Sequence, residues 1–121
     1  MARTCLVVDD SRVVRRAARR ILEEAGFAVT EAENGQAALL ACREARPDFV
    51  LLDWNMPVMN GIECLHALRA EFGDQLPVVF CTSETELDRI EQALEGGATE
   101  YVMKPFDSEI LCGKLAQAGL L

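Results

Sequence analysis

The sequence predicts one doubly wound α/β domain in which five short parallel strands alternate with helices that cover both faces of the sheet. Two observations carry that expectation. Short β-rich runs at 4–8, 28–31, 49–52, 78–81 and 100–103 alternate with stretches of helical period near 11–25, 34–45, 60–71, 85–96 and 107–118. The joins between them are short, and no repeat, low-complexity tract or linker interrupts the series, so five βα units fit one domain.

Each element has its own warrant. The first strand is the apolar run Cys5-Leu6-Val7-Val8, stopped by Asp9-Asp10 too early for a signal peptide or a membrane span. In the first helix, Val13, Val14, Ala17, Ala18, Ile21, Leu22 and Ala25 fall on one half of the wheel, and Arg12, Arg15, Arg16, Arg19 and Arg20 on the other. The apolar half is expected to pack on the sheet and the arginine half to face solvent. Ser11 is placed to cap the start, and Gly26 to end the helix in a left-handed conformation. Asn34-Gly35 and Asn60-Gly61 supply turn chemistry before the second and third helices, and Gly96-Gly97 ends the fourth.

Composition narrows the function. The chain has 121 residues, half of them apolar, which suffices for one core without metal or disulfide staples. Five cysteines (5, 42, 64, 81 and 112) lie singly in apolar stretches, as expected of reduced, buried thiols in a cytoplasmic protein. The formal charge of −8 argues against general binding of DNA or RNA, which needs a basic footprint. The sole histidine, His66, falls within the third helix and away from every strand end, so no catalytic triad is expected.

The chemistry lies at the strand ends. Asp9 and Asp10 follow the first strand, Asp53 the third, Thr82 and Ser83 the fourth, and Lys104 the fifth. Open α/β sheets bind ligands beyond the carboxyl ends of their strands, where the strand order reverses. With the order 2-1-3-4-5, that crevice lies between the first and third strands. The end of the second strand, Glu31-Ala32-Glu33, carries no comparable constellation. Three converging carboxylates repel one another, and a hard dication such as Mg²⁺ resolves the conflict. Lys104 offers a point charge and Thr82 a hydroxyl donor to an incoming phosphoryl group. Asp53 suits the role of nucleophile, because a carboxylate with an ordinary pKa near 4 is ionised at neutral pH without a general base.

Taken together, Val7-Val8-Asp9-Asp10, Leu51-Leu52-Asp53-Trp54-Asn55-Met56-Pro57 with Asn60-Gly61, Cys81-Thr82-Ser83, and Tyr101-Val102-Met103-Lys104-Pro105-Phe106 resemble the receiver domains of bacterial two-component response regulators. The segment from Asp53 to Pro57 is similar to the single-domain chemotaxis regulators. The resemblance covers nearly the whole chain and implies the flavodoxin-like order 2-1-3-4-5, a single domain over 1–121 and no output domain.

It also implies roles. Asp53 would accept a phosphoryl group from a histidine kinase or histidine phosphotransfer protein. Asp10, Asp53 and the backbone carbonyl of Asn55 would ligate Mg²⁺, with Asp9 acting mainly through water. Thr82 and Lys104 would hold phosphoryl oxygens, and Lys104-Pro105 would be a cis peptide. Thr82 and Tyr101 would form the switch, and Asn55 and Glu84 would tune a phosphoform lasting minutes or less. A downstream target would dock on the face of helix four, strand five and helix five around Tyr101, on a monomer that enters neither DNA nor membrane.

Three other readings compete with this one. A haloacid dehalogenase-type phosphohydrolase needs a second Asp where Asn55 stands, and a flavodoxin needs a phosphate-binding turn where Asp9-Asp10 would repel its cofactor. An adapter on the same fold, with its output set by a partner or a nucleotide, stays open because the arginine face of helix one is a basic patch able to take phosphates. Within the receiver reading, the same face could instead dock an acidic kinase partner.

Overall fold

The computed structural model describes residues 3–54, 56, 58–83 and 87–121, and the side chain of Leu87 is not among the features described. The elements run β1 (Arg3–Val8), α1 (Arg12–Glu24), β2 (Phe27–Ala32), α2 (Gly35–Glu44), β3 (Phe49–Asp53), α3 (Gly61–Phe72), β4 (Val78–Ser83), α4 (Leu87–Glu95), β5 (Glu100–Lys104) and α5 (Ser108–Gln117). A single 3₁₀ turn, Gly73–Gln75, joins α3 to β4. All four strand pairs are parallel and the sheet order is β2-β1-β3-β4-β5, as expected.

Alternation along the strands divides the core in two. Leu6, Val8, Val50, Leu52, Val78 and Phe80 face α2, α3 and α4. Cys5, Val7, Phe49, Leu51, Val79 and Val102 face α1 and α5. β3 is buried along its whole length, as a central parallel strand must be. The strands run one or two residues beyond the sequence expectation. The ladder continues through Asp53↔Cys81 and Ser83↔Lys104, so Asp53, Ser83 and Lys104 end their strands, with Thr82 one residue before the end of β4, rather than following them.

The helix starts follow their caps. The side chains of Ser11, Asn34 and Asp107 accept the backbone N–H groups of Val14, Ala37 and Ile110. Asn60 and Glu63 form a reciprocal capping box at the start of α3. Gly26 and Gly97 take the left-handed conformations expected after α1 and α4.

Two expectations need correcting. Gly61 is not a turn glycine but the first residue of α3, at a point of close approach. Its N–H donates to the Trp54 carbonyl at 2.8 Å. A Cβ there would lie 2.5 Å from the Asp53 carbonyl oxygen and 2.8 Å from the Phe80 ring. The wheel of α1 is also rotated from its reading. Val13 is 79 % exposed, whereas the Arg15 side chain is only 13 % exposed. Arg15 is drawn inward by polar partners near the C-terminal end of β1 and β2, which outweigh the helix's own apolar pattern.

Backbone strain sits in the β3–α3 connection. Val58 adopts φ +70° although it is β-branched and 77 % exposed. Val58→Gly is therefore expected to raise stability by about 1 kcal/mol, because relief of the left-handed strain outweighs the added chain entropy. Gly61→Ala is expected to lower stability by roughly 1–3 kcal/mol, as over-packing against backbone does. Urea denaturation of both variants checks the opposite signs, and a stable Gly61→Ala protein would show that α3 can retreat from β3 without penalty.

Candidate phosphoacceptor site

Register brings the acidic residues together. Val8 pairs with Leu52, so Asp9 and Asp53 reach the C-terminal edge of the sheet at the same level on neighbouring strands. The Asp9 N–H continues the ladder to the Ala32 carbonyl at 3.1 Å, and its Oδ1 accepts the Ser11 N–H at 2.9 Å. One carboxylate oxygen from each of Asp9, Asp10 and Asp53 lies within 4.8 Å of the others. Asp9 and Asp53 are buried, and Asp10 is exposed.

Lys104 closes the site from β5. Its Nζ donates to Asp53 Oδ1 at 2.6 Å and to Asp9 Oδ2 at 2.8 Å. Burial alone would lower the ammonium's pKa, but the hydrogen bonds it donates to Asp53 and Asp9 outweigh that, so the net shift is upward. Asp53 is also shifted upward, first by burial and then by the charges of Asp9 and Asp10, against the pull of Lys104. Its carboxyl therefore does not have the ordinary pKa assumed from the sequence. The geometry suits a hard dication: three oxygen donors converge, and added positive charge would offset both the burial of Asp53 and its repulsion by the neighbouring acids.

Thr82 is buried near the end of β4, paired with Met103 and one residue beyond Cys81, the partner of Asp53. Strand alternation puts it on the face of Phe80, whose register partner is Tyr101. Tyr101 is half-buried against that core, with Lys114 Nζ 4.2 Å from its ring centroid. The Lys104-Pro105 peptide is cis, as the resemblance implied. Asn55 and Glu84 lie outside the described residues. His66 is exposed on α3, and Cys5, Cys42, Cys64 and Cys81 are buried as reduced thiols, with Cys112 half-buried.

Several features at this end were not read from the sequence. Trp54 packs on Phe80 at 5.4 Å between ring centroids and lies under the Arg89 guanidinium at 5.1 Å. A groove of about 420 Å³ runs beside Lys104, lined by Val13, Val14, Ala17, Pro105 and Phe106. The end of β2, expected to be uneventful, carries Glu31, which binds Arg15 at 3.0 Å and Arg19 at 2.8 Å. Of the expected arginine face, Arg12, Arg16 and Arg20 remain exposed. The strand-end carboxylates and lysine were legible because each ends an apolar run, whereas the Glu31 contacts join residues whose alignment depends on helix rotation.

The fold and site define the class. Residues 5–116 match the response regulator receiver domain model. The chain is 41 % identical over 112 residues to the chemotaxis protein CheY of Pseudomonas aeruginosa, covering 91 % of this chain and 90 % of that protein. It is 40 % identical over 115 residues to the DNA-binding response regulator MtrA of Mycolicibacterium smegmatis, covering 95 % of this chain and 50 % of that longer protein. The solved Vibrio cholerae chemotaxis protein CheY4 superposes with a TM-score of 0.91 at 34 % identity, over 98 % of this chain and 99 % of that one. The chain belongs to the response regulator receiver domain family and is CheY-like in sequence and fold. Among the described residues no helix is long and apolar enough to cross a membrane.

The upward shift of Asp53 has a defined pH signature. A carboxyl with a raised folded pKa contributes stability below its unfolded pKa, and that contribution is lost as pH rises through the folded value. Without divalent cations, the stability of the wild type relative to Asp53→Asn is expected to fall as pH rises from about 3.8 toward neutrality. Parallel denaturation of both proteins across that range tests the sign. A difference that grows with pH would mean that the Lys104 pair outweighs burial.

Proposed function

We propose that the chain is a phosphorylation-controlled signalling switch whose acceptor is Asp53. The observation that carries this reading is the Lys104 ammonium bridging two buried carboxylates beside a third at a parallel sheet's C-terminal edge. Such an arrangement can receive a phosphoryl group because its compensating charges are already in position.

In the proposed reaction an Asp53 oxygen attacks the phosphorus of a phosphohistidine on a histidine kinase or phosphotransfer protein. The P–N bond breaks, its electron pair leaves with the imidazole, and Asp53 becomes an acyl phosphate. Asp10, Asp53 and the Asn55 backbone carbonyl would hold Mg²⁺, with Asp9 acting through water. When bound, Mg²⁺ supplies the positive charge that offsets the phosphoryl oxygens. Lys104 and Thr82 take those oxygens. Lys104 must then exchange its present carboxylate contacts for the new group, so its release from Asp9 and Asp53 belongs to the switch.

Thr82 and Tyr101 share the sheet face that packs against α3 and α4, which supports a coupled movement of the two. Phosphorylation would shift an existing equilibrium, with Tyr101 moving inward as Thr82 shifts toward the phosphoryl group. The α4–β5–α5 face would then gain affinity for a target protein, by about 1–3 kcal/mol on the usual scale of such coupling. Asn55 and Glu84 would set a lifetime of minutes or less. The apolar groove beside Lys104 supports direct protein docking by the phosphodonor, because Asp53 is only 6 % exposed and the donor must cover this rim. A cytoplasmic monomer signalling by docking, without DNA contact, fits the charge of −8.

The test is the intact mass of the protein after exposure to a small acyl phosphate, with and without Mg²⁺, beside Asp53→Asn. A single Mg²⁺-dependent phosphoryl adduct that is absent from the variant is expected. No adduct, together with no stable beryllofluoride complex, would reject the reading.

A further inference from the structure

Arg15 lies on the half of α1 expected to face solvent, yet it is the least exposed arginine among those that contact Glu31. One terminal nitrogen donates to the backbone carbonyl of Asp9 at 2.6 Å, and Nε donates to Glu31 Oε1 at 3.0 Å. The other oxygen of Glu31 accepts from Arg19 at 2.8 Å. Hydrogen bonding to Arg19, and then to Arg15, holds the Glu31 carboxyl below its ordinary pKa despite burial, so it stays ionised as an anchor. Glu31 pairs in register with Val7, two residues before Asp9, so the anchor is part of the sheet itself.

The Asp9 carbonyl belongs to the peptide that links Asp9 to Asp10. Because a peptide unit is planar, fixing its oxygen fixes the direction in which the chain enters Asp10. Other contacts at this turn restrain Asp9 by different atoms: its N–H bonds Ala32, its Oδ1 bonds Ser11, and its Oδ2 bonds Lys104. Among the described residues, Arg15 is the side chain that donates to the oxygen of the linking peptide. Asp10 itself is exposed, so packing does little to aim it toward Asp53.

We infer that Arg15, braced by Glu31, is a positioning residue for the cation site: it orients the Asp9–Asp10 peptide so that the Asp10 carboxylate converges with those of Asp9 and Asp53. The inference rests on the reading of these carboxylates as a Mg²⁺ site. Arg15 touches neither cation nor phosphoryl group, and acts only through the turn. Residues that orient ligands in this way typically alter metal affinity roughly 10–100-fold when changed.

The measurement is Mg²⁺ affinity by calorimetry on the purified chain, beside the metal-free melting temperature. Four variants are compared with wild type: Arg15→Gln, Arg15→Lys, Arg19→Gln and Glu31→Gln. Arg15→Gln is expected to weaken Mg²⁺ binding roughly tenfold. Arg15→Lys, whose single ammonium can still reach the Asp9 carbonyl, is expected to fall between it and wild type. Arg19→Gln removes the same charge from the same Glu31 but no contact to Asp9, so its affinity should stay within about twofold of wild type, whatever its melting temperature. Glu31→Gln should weaken binding in the same direction as Arg15→Gln but less, and it covers the case in which Arg15→Gln does not fold. Wild-type affinity in Arg15→Gln, or in both Arg15→Lys and Glu31→Gln, would overturn the inference. So would an equal loss in Arg19→Gln, which would make the effect one of net charge. Absence of Mg²⁺ binding by the wild type would instead remove the cation-site reading on which the inference stands.

Discussion

Two carboxylates buried at one end of a sheet repel each other, and Lys104 is the group that lets Asp9 and Asp53 coexist there. The remainder of the fold can be understood from how that contact is made. Lys104 reaches inward from β5, two strands away from Asp53 in the sheet order, so its Nζ can meet both acids only if β3, β4 and β5 keep their register. The buried parallel ladder enforces that register, because sliding a strand by one residue would turn its apolar side chains from one core to the other.

The contact balances the site without fully neutralising it. Two close hydrogen bonds from one ammonium leave burial and the neighbouring acids strong enough to raise Asp53 above its ordinary range. The ionised form of Asp53 is thus disfavoured in the folded state, mainly by burial and further by its acidic neighbours. Added positive charge, or a proton, offsets both, and the cluster of Asp9, Asp10 and Asp53 could hold a cation.

Around this centre, glycine and arginine serve local geometry more than propensity. Gly61 lets α3 start against the backbone of Asp53 and Trp54, and Trp54 packs on Phe80. Arg69 gathers the carbonyls of Gly73, Leu76 and Gly97, tying the ends of α3 and α4 to the start of β4. Arg15 does the equivalent at the β1–α1 turn. The part-buried carbonyls of Asp9, Leu76 and Gly97 thereby gain a charged donor, which bonds more strongly than a neutral one.

The sequence by itself determined the five βα repeats, the parallel sheet and the identities of Asp9, Asp10, Asp53, Thr82 and Lys104 as strand-end residues. These are local facts: apolar runs ended by polar residues announce a buried strand and the edge where ligands bind. It also supplied the cap at Ser11, since capping chemistry acts over three residues, whereas Asn34 and Asn60, expected as turn residues, proved to be caps as well. What only the tertiary structure decided is how far α1 rotates about its axis, and so which of its arginines turn inward. The wheel placed Arg15 with its four neighbours in solvent and left Val13 in the core, because it scores each residue against water and oil alone. The actual rotation was chosen by Glu31 on a strand and a carbonyl on a turn, partners 16 and 6 residues away that no periodicity can reveal. The same reason hid the role of Gly61, whose constraint is the nearness of a backbone eight residues earlier rather than anything in its own turn.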